Sequence, residues 1–387
     1  MATGERQAPL PQLNPLPDLD CVGPSSEGAS VGPSVDWWRE QPALEKWGMS
    51  FKIGIVGAGG IGGIHAAILA KDSRIQLHSF FDVEATRAQS IASRFGGHAA
   101  RSLEELLQQC NAVFVCTPNT THEEVAIKVL EAGKHVFCEK PFALNLKSAA
   151  RLHDRAMRSG VIYQVGHNRR FAPVYKVLKQ AIESSELQPL SVHAKMNRGE
   201  LVNPPWVWNA SLTGGFLYET PVHMFDLMTF FFGRVEWVEV SARSHGHGEL
   251  DDFSILLSFE SGLQATMKTY AHASWHFPFE RFEVYGMHST YETFEMERIS
   301  FTKGLESRTT SYDFSLASMH EKWGYIEEDR LFVDALEGKS PVPVTAEDGY
   351  NVVQLIEACY QSARDGRRMS PGLVSKKSAA PFATQKR

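Results

Sequence analysis

The chain has 387 residues, 43% apolar and 22% charged, ordinary proportions for a globular protein with room for two cores. A formal charge of −6, with no Lys/Arg stripe, excludes the basic field that binding to nucleic acid requires. The longest apolar cluster, residues 224–232, is far too short to span a bilayer and contains Asp226, so no membrane anchor is expected.

Residues 1–48 are rich in Pro, Gly and Ser and lack periodicity, the composition of a disordered extension. Trp37, Trp38 and Trp47 could dock on the body, but the stretch reads as a tail. It has no basic segment followed by an apolar one, so it is not a secretory signal, and a cytoplasmic location is expected. Met49 is a second candidate start of synthesis, which mass spectrometry of the native protein would test. The five cysteines are scattered and odd in number. Cys110, Cys116 and Cys138 fall in or beside apolar runs, so buried reduced thiols are expected rather than disulfides.

The folded part opens on a short β-rich run, Lys52 to Val56, then Gly57-Ala58-Gly59-Gly60-Ile61-Gly62, then a helical apolar pattern (Ile64, Ala67, Ile68). GxGxxG between a strand and a helix predicts a dinucleotide site. The first glycine makes the tight turn, the second admits a pyrophosphate, and the third lets helix and strand pack closely. The phosphates would lie on the free N–H groups of the helix start, around Gly60 and Ile61. A second apolar run ends in Asp82, about 20 residues past the last glycine, where an acid binds the ribose in such folds. Val83 follows, and no Arg stands near to take a 2′-phosphate, which points to NAD rather than NADP.

Strands are expected at 52–57, 75–82, 112–117, 134–138 and 161–166, alternating with helices at 60–71, 84–94, 102–109, 120–132 and 145–159. That alternation predicts a doubly wound parallel sheet. Ligands bind beyond the carboxyl ends of such strands, where Thr117-Pro118-Asn119, His122 and Glu139-Lys140-Pro141 fall. Helices follow at 172–184 and 216–232, then period-2 strands at 235–243, 251–259, 263–271, 280–286 and 291–303, and helices at 322–337 and 346–364. The expected fold is α/β: an N-terminal Rossmann domain (49–168), then an α+β domain (169–370) with a large, mostly antiparallel open sheet, and a polar tail (371–387). The uncovered sheet face is expected to form a homodimer or homotetramer.

These motifs carry a family likeness. The chain resembles the glucose–fructose oxidoreductase / inositol dehydrogenase / rhizopine-catabolism family of NAD(P)-dependent oxidoreductases over roughly 49 to 370. The resemblance rests on GAGGIG with Asp82, TPNTTH (117–122), EKP (139–141), VGHNRRF (165–171) and GGFLYETPVHMFD (214–226), with 346–368 like the family's closing helix. It implies that Lys140 reaches into the cleft between cofactor and substrate and that Lys140-Pro141 is cis. It implies His223 as general base and Glu219 as its orienting carboxylate, where the family has Asp. Spaced i,i+4 on one helix, the two would share a face. It sets Thr117, Pro118, Asn119, His122, Glu139, Lys140 and Arg169 around the cofactor, and Lys140, Asn168, Arg198 and His223 around the substrate. Asp226 reads as a packing or capping residue, and Trp206 and Trp208 could line the cleft or simply pack.

No metal site is expected. His245-Gly246-His247 with Glu249, Asp251 and Asp252 has the chemistry of a hairpin turn and lacks a partner cluster of zinc spacing. His272 and His276 lie near a strand end and fit a structural role as well as a pocket rim. Two classes of function remain open. One is a dehydrogenase of a sugar, inositol or related polyol, with a dihydrodiol dehydrogenase or a cofactor-retaining sugar oxidoreductase as variants. The latter are often exported with a twin-Arg signal, which the tail lacks. The other is a non-catalytic NAD(P)-sensing regulator. Intact Lys140 and His223 favour the enzyme, because a regulator has no physical need of both.

Overall fold

The computed structural model describes residues 50–198, 209–246, 248–273, 279–305 and 308–373. Trp37, Trp38, Trp47, Trp206, Trp208, His247 and His276 lie outside the described residues.

The first sheet has six strands: β1 (Phe51–Val56), β2 (Ile75–Phe81), β3 (His98–Ala99), β4 (Ala112–Val115), β5 (His135–Glu139) and β6 (Tyr163–Gly166). They run parallel in the order β3-β2-β1-β4-β5-β6, the doubly wound order of dinucleotide-binding folds. Helices α1 (Gly60–Leu69), α2 (Ala85–Phe95), α3 (Leu103–Gln109), α4 (His122–Glu131) and α5 (Leu146–Arg158) alternate with them. Every residue of β4 and β6 is buried, as a parallel sheet covered on both faces requires. Ser102 and Asn145 start α3 and α5 by accepting the N–H of Glu105 and Ser148. On one face of the sheet Phe114 and Phe137 stack at 4.4 Å beside Phe332.

The second half continues with α6 (Pro173–Glu183), β7 (Ser191–Met196), α7 (Ala210–Thr213), α8 (Phe216–Glu219) and α9 (Val222–Phe232). Strands β8 (Val235–Arg243), β9 (Asp252–Phe259), β10 (Gln264–Tyr270), β11 (Glu280–Gly286), β12 (Ser289–Phe294), β13 (Arg298–Thr302) and β14 (Thr310–Asp313) follow. They form one sheet with β7, in the order β14-β13-β12-β11-β7-β10-β9-β8. It is antiparallel except where β7 runs parallel to β10. Last come α10 (Met319–Lys322), α11 (Tyr325–Leu336) and α12 (Ala346–Asp365), the last opened by a Thr345/Asp348 capping box. Helix α11 returns to the first sheet, packing on α1 and burying Phe332 and Val333 there. Helix α12 packs on α5, α9 and β8.

Two expected elements come out differently, and some strands were not anticipated. The helix expected over 216–232 is two helices, because Pro221 has no N–H to carry the first into the second and stands instead as the N-cap of α9. The strand expected over 291–303 is β12 and β13, joined by a turn in which Glu295 has φ 53°. Strand β7, central in the second sheet, was not anticipated. Its alternation is plain once paired, with Val192, Ala194 and Met196 buried between half-buried or exposed neighbours.

Candidate active site

The glycine turn has the geometry its spacing predicts. Gly57 closes β1 with φ 95°, and a Cβ there would lie 2.4 Å from the Cys116 carbonyl. A Cβ on Gly62 would lie 2.1 Å from the Gly57 carbonyl, so only glycine lets α1 sit this close to β1. Gly59 and Gly60 differ: a Cβ on either meets nothing within 4 Å, so their backbone faces open space. Helix α1 starts at that space with no side-chain cap and no acid in its first turn. Its free N–H groups and positive end suit a pyrophosphate. Asp82, at the end of β2, takes the Ala58 N–H at 2.8 Å and the Glu84 N–H at 2.9 Å, which fixes its carboxylate beside the turn. Val83 is exposed and Arg87 pairs with Glu84. These residues fit a dinucleotide whose pyrophosphate lies over Gly59 and Gly60.

Lys140 follows β5 and precedes a cis bond to Pro141. Its Nζ donates to the Glu219 carbonyl at 3.3 Å, which brings the first sheet's strand ends against the α8–α9 segment. The Glu219 carboxylate accepts from Asn119 Nδ2 at 2.9 Å. The expected Glu219–His223 hydrogen bond is therefore replaced by one to Asn119, since the break at Pro221 removes the shared helix face. His223 is buried, and its Nδ1 has no hydrogen-bond partner. Burial, then the positive charges of Arg169 and Lys140, holds its pKa well below the usual histidine value, so the ring is neutral near pH 7.

Several other residues of the motifs are engaged by protein. The His122 ring is buried between the Thr117 carbonyl at 2.8 Å and the Pro141 carbonyl at 3.0 Å. Burial lowers its pKa, and a neutral ring has one donor, so one contact is a hydrogen bond and the other a close approach. His122 thus braces two loops from below, whereas Pro118 stands exposed at the rim. The Glu139 carboxylate points inward to His65 at 3.1 Å. Asn168 donates to the Trp323 carbonyl at 2.9 Å, and Arg169 Nε to Glu280 at 2.9 Å. Arg198 is buried within electrostatic reach of Glu219. Asp226, expected to pack or cap, holds Arg170 in a bidentate ion pair at 2.6 and 2.8 Å.

Sequence reasoning passed over His65, His167 and Glu280. His167 follows β6, buried edge-on to His223 with ring centroids 6.2 Å apart, and neither ring nitrogen has a hydrogen-bond partner. It lay inside the quoted VGHNRRF motif, so its position next to a strand end was the available signal. Glu280, fully buried, joins Arg169 to Tyr175, and nothing local marks it. Among the described residues no group of three or more His, Cys, Asp or Glu is placed to hold a metal ion, and no helix is long and apolar enough to cross a membrane. His245, Gly246 and His272 all donate to Asp251, which closes the β8–β9 turn.

Comparison with known proteins agrees with the fold. The family described as "Oxidoreductase family, NAD-binding Rossmann fold" matches residues 51–167, and its "C-terminal alpha/beta domain" matches residues 179–370. The chain is 28% identical over 329 residues to a myo-inositol 2-dehydrogenase of Thermotoga maritima, covering 82% of this chain and 97% of that one. It is 26% identical over 335 residues to an inositol 2-dehydrogenase of Rhizobium meliloti, covering 83% and 99%. Among solved structures it is similar to GenD2 from gentamicin A biosynthesis, determined in complex with NAD, at 26% identity and a TM-score of 0.72, covering 83% and 96%.

Proposed function

Because the chain belongs to the glucose–fructose oxidoreductase / inositol dehydrogenase / rhizopine-catabolism family of NAD(P)-dependent dehydrogenases, we propose that it oxidises a secondary alcohol on an inositol, sugar or related polyol, with NAD as its cofactor. The observation that carries this reading is the approach of Lys140 to the segment bearing a neutral, buried His223. Asp82, tied to the glycine turn, would accept from the ribose hydroxyls, and the exposed Val83 offers no charge to a 2′-phosphate. When bound, the nicotinamide supplies the hydride acceptor.

The chain's own groups supply the rest. His223, uncharged at neutral pH, takes the hydroxyl proton. Lys140 sets a positive charge beside the oxygen and stabilises the developing alkoxide. Glu219 holds Asn119 by its side chain and Lys140 by its carbonyl, so it steadies the lysine rather than the histidine. The same reading has the open face of the second sheet meet another copy of the chain.

The test is reduced-cofactor formation with NAD and NADP across a panel of inositols and aldoses, with Lys140→Ala and His223→Ala beside the parent protein. Turnover that both variants lose while still binding NADH supports the proposal. Tight NADH binding without turnover of any polyol would move the reading to a dinucleotide-sensing regulator.

A further inference from the structure

His65 lies on α1 and is fully buried, boxed by Phe114, Phe137 and Tyr325 with ring centroids 5.3, 5.0 and 5.8 Å away. Its Nδ1 is 2.8 Å from Asp329 Oδ1 on α11, and its Nε2 is 3.1 Å from Glu139 Oε1 at the end of β5. Ionised carboxylates only accept, so both ring nitrogens donate and the ring is an imidazolium between two anions. The second oxygen of Glu139 accepts the backbone N–H of Lys140 at 3.1 Å. Gly166 on β6 leaves space for this carboxylate: a Cβ there would lie 3.2 Å from Glu139 Cδ. Three elements distant in sequence thus converge on the peptide from which Lys140 departs.

We propose that Asp329, His65 and Glu139 form a positioning chain for Lys140, fixing the backbone that aims the lysine and coupling it to the helix that would carry the cofactor phosphates. This rests on the reading of Lys140 as the cleft lysine. The chain gives His65 a task that its place in the glycine-rich helix does not by itself require. Burial alone would strip its proton, and Asp329 and then Glu139 outweigh burial.

The test uses the full-length protein, His65→Gln, and the double variant His65→Gln/Asp329→Asn. The double variant removes one negative charge with the positive one, in case the single variant fails to fold. Competitive acetic anhydride labelling is read by peptide mass spectrometry for Lys140 against Lys128, an exposed lysine on α4. In parallel, NADH affinity and kcat are measured on the folded variants. The expected result is faster labelling of Lys140 relative to Lys128, unchanged NADH affinity, and kcat lower by about 10²-fold, the size of effect that a small misplacement of a catalytic group has. Wild-type labelling of Lys140 in a folded variant overturns the proposal, as does a kcat loss matched by an equal loss of NADH affinity. If the parent protein turns over no polyol yet Lys140 labelling still responds, the positioning chain stands and the dehydrogenase reading falls.

Discussion

His223 is neutral for a reason that belongs to its surroundings: burial and two neighbouring cations disfavour the imidazolium. A base held in that state keeps its acceptor well into acid, so kcat/KM should stay level from neutral pH to below about 6.5, the ordinary histidine value. His223→Asn should lower kcat by about 10²–10⁴-fold, the range for a general base, with NADH binding intact. A pH–rate profile of the parent enzyme beside the variant checks both. Asp226, three residues on, does different work. Asp226→Asn leaves the Arg170 guanidinium buried with the more distant Asp348 at 3.4 Å as its remaining carboxylate. Stranding a buried charge costs about 3–5 kcal/mol, which urea unfolding should show as an earlier midpoint. The motif revealed that Asp226 mattered. It could not reveal the partner, which lies 56 residues earlier.

The glycine turn lends itself to a paired test, because its glycines serve different ends. Gly62→Ala forces a methyl against the Gly57 carbonyl, where the backbone cannot yield cheaply, and should destabilise the fold by about 1–3 kcal/mol. Gly59→Ala meets no protein atom and has an ordinary φ of −80°, so thermal stability should hold while NADH affinity falls. Calorimetry and a binding titration on both variants separate the two roles. The spacing of GxGxxG contained that distinction already, since each position answers to a local contact. The interruption between α8 and α9 was equally local, with Pro221 in plain view, yet the apolar run from Phe216 to Phe232 reads as one helix unless the proline is weighed. Strand β7 was missed because its six residues are short and its pairing partners, β10 and β11, lie far along the chain.

Among the described residues, the histidines with displaced pKa values divide into two groups that set opposite pH limits on stability. Burial, followed by Lys134, holds His135 down to about 4, and burial likewise lowers His78, His122, His167 and His223. Unfolded, these rings take a proton near pH 6.5, so their depressed folded values withdraw stability as the pH falls below about 6.5. His65 runs the other way: its raised value gives stability that is complete below about 6.5 and lost as the pH climbs through the folded value. Glu328, pushed up first by burial and then by Glu139, adds a loss of the same sense that begins above the ordinary glutamate range. From about pH 6.5 upward stability should therefore fall, with His65 contributing a slope of up to about 1.4 kcal/mol per pH unit. Urea midpoints from about pH 6.5 upward should show the fall, and His65→Gln should flatten it.

The sequence alone determined what rests on short-range chemistry: the strand–glycine–helix turn, Asp82 at the end of β2, the alternation that demands a parallel sheet, and the lysine and histidine in recognisable motifs. Only the tertiary structure decided how those residues are wired. Glu219 turned from His223 to Asn119, His122 and Glu139 went beneath the cleft rather than into it, and His65 acquired two carboxylate partners, 74 and 264 residues away. Hydrogen bonding and burial depend on distance in space. A pattern along the chain fixes which groups are offered, whereas the packing of α11 on α1 and of α9 over the strand ends fixes which groups meet.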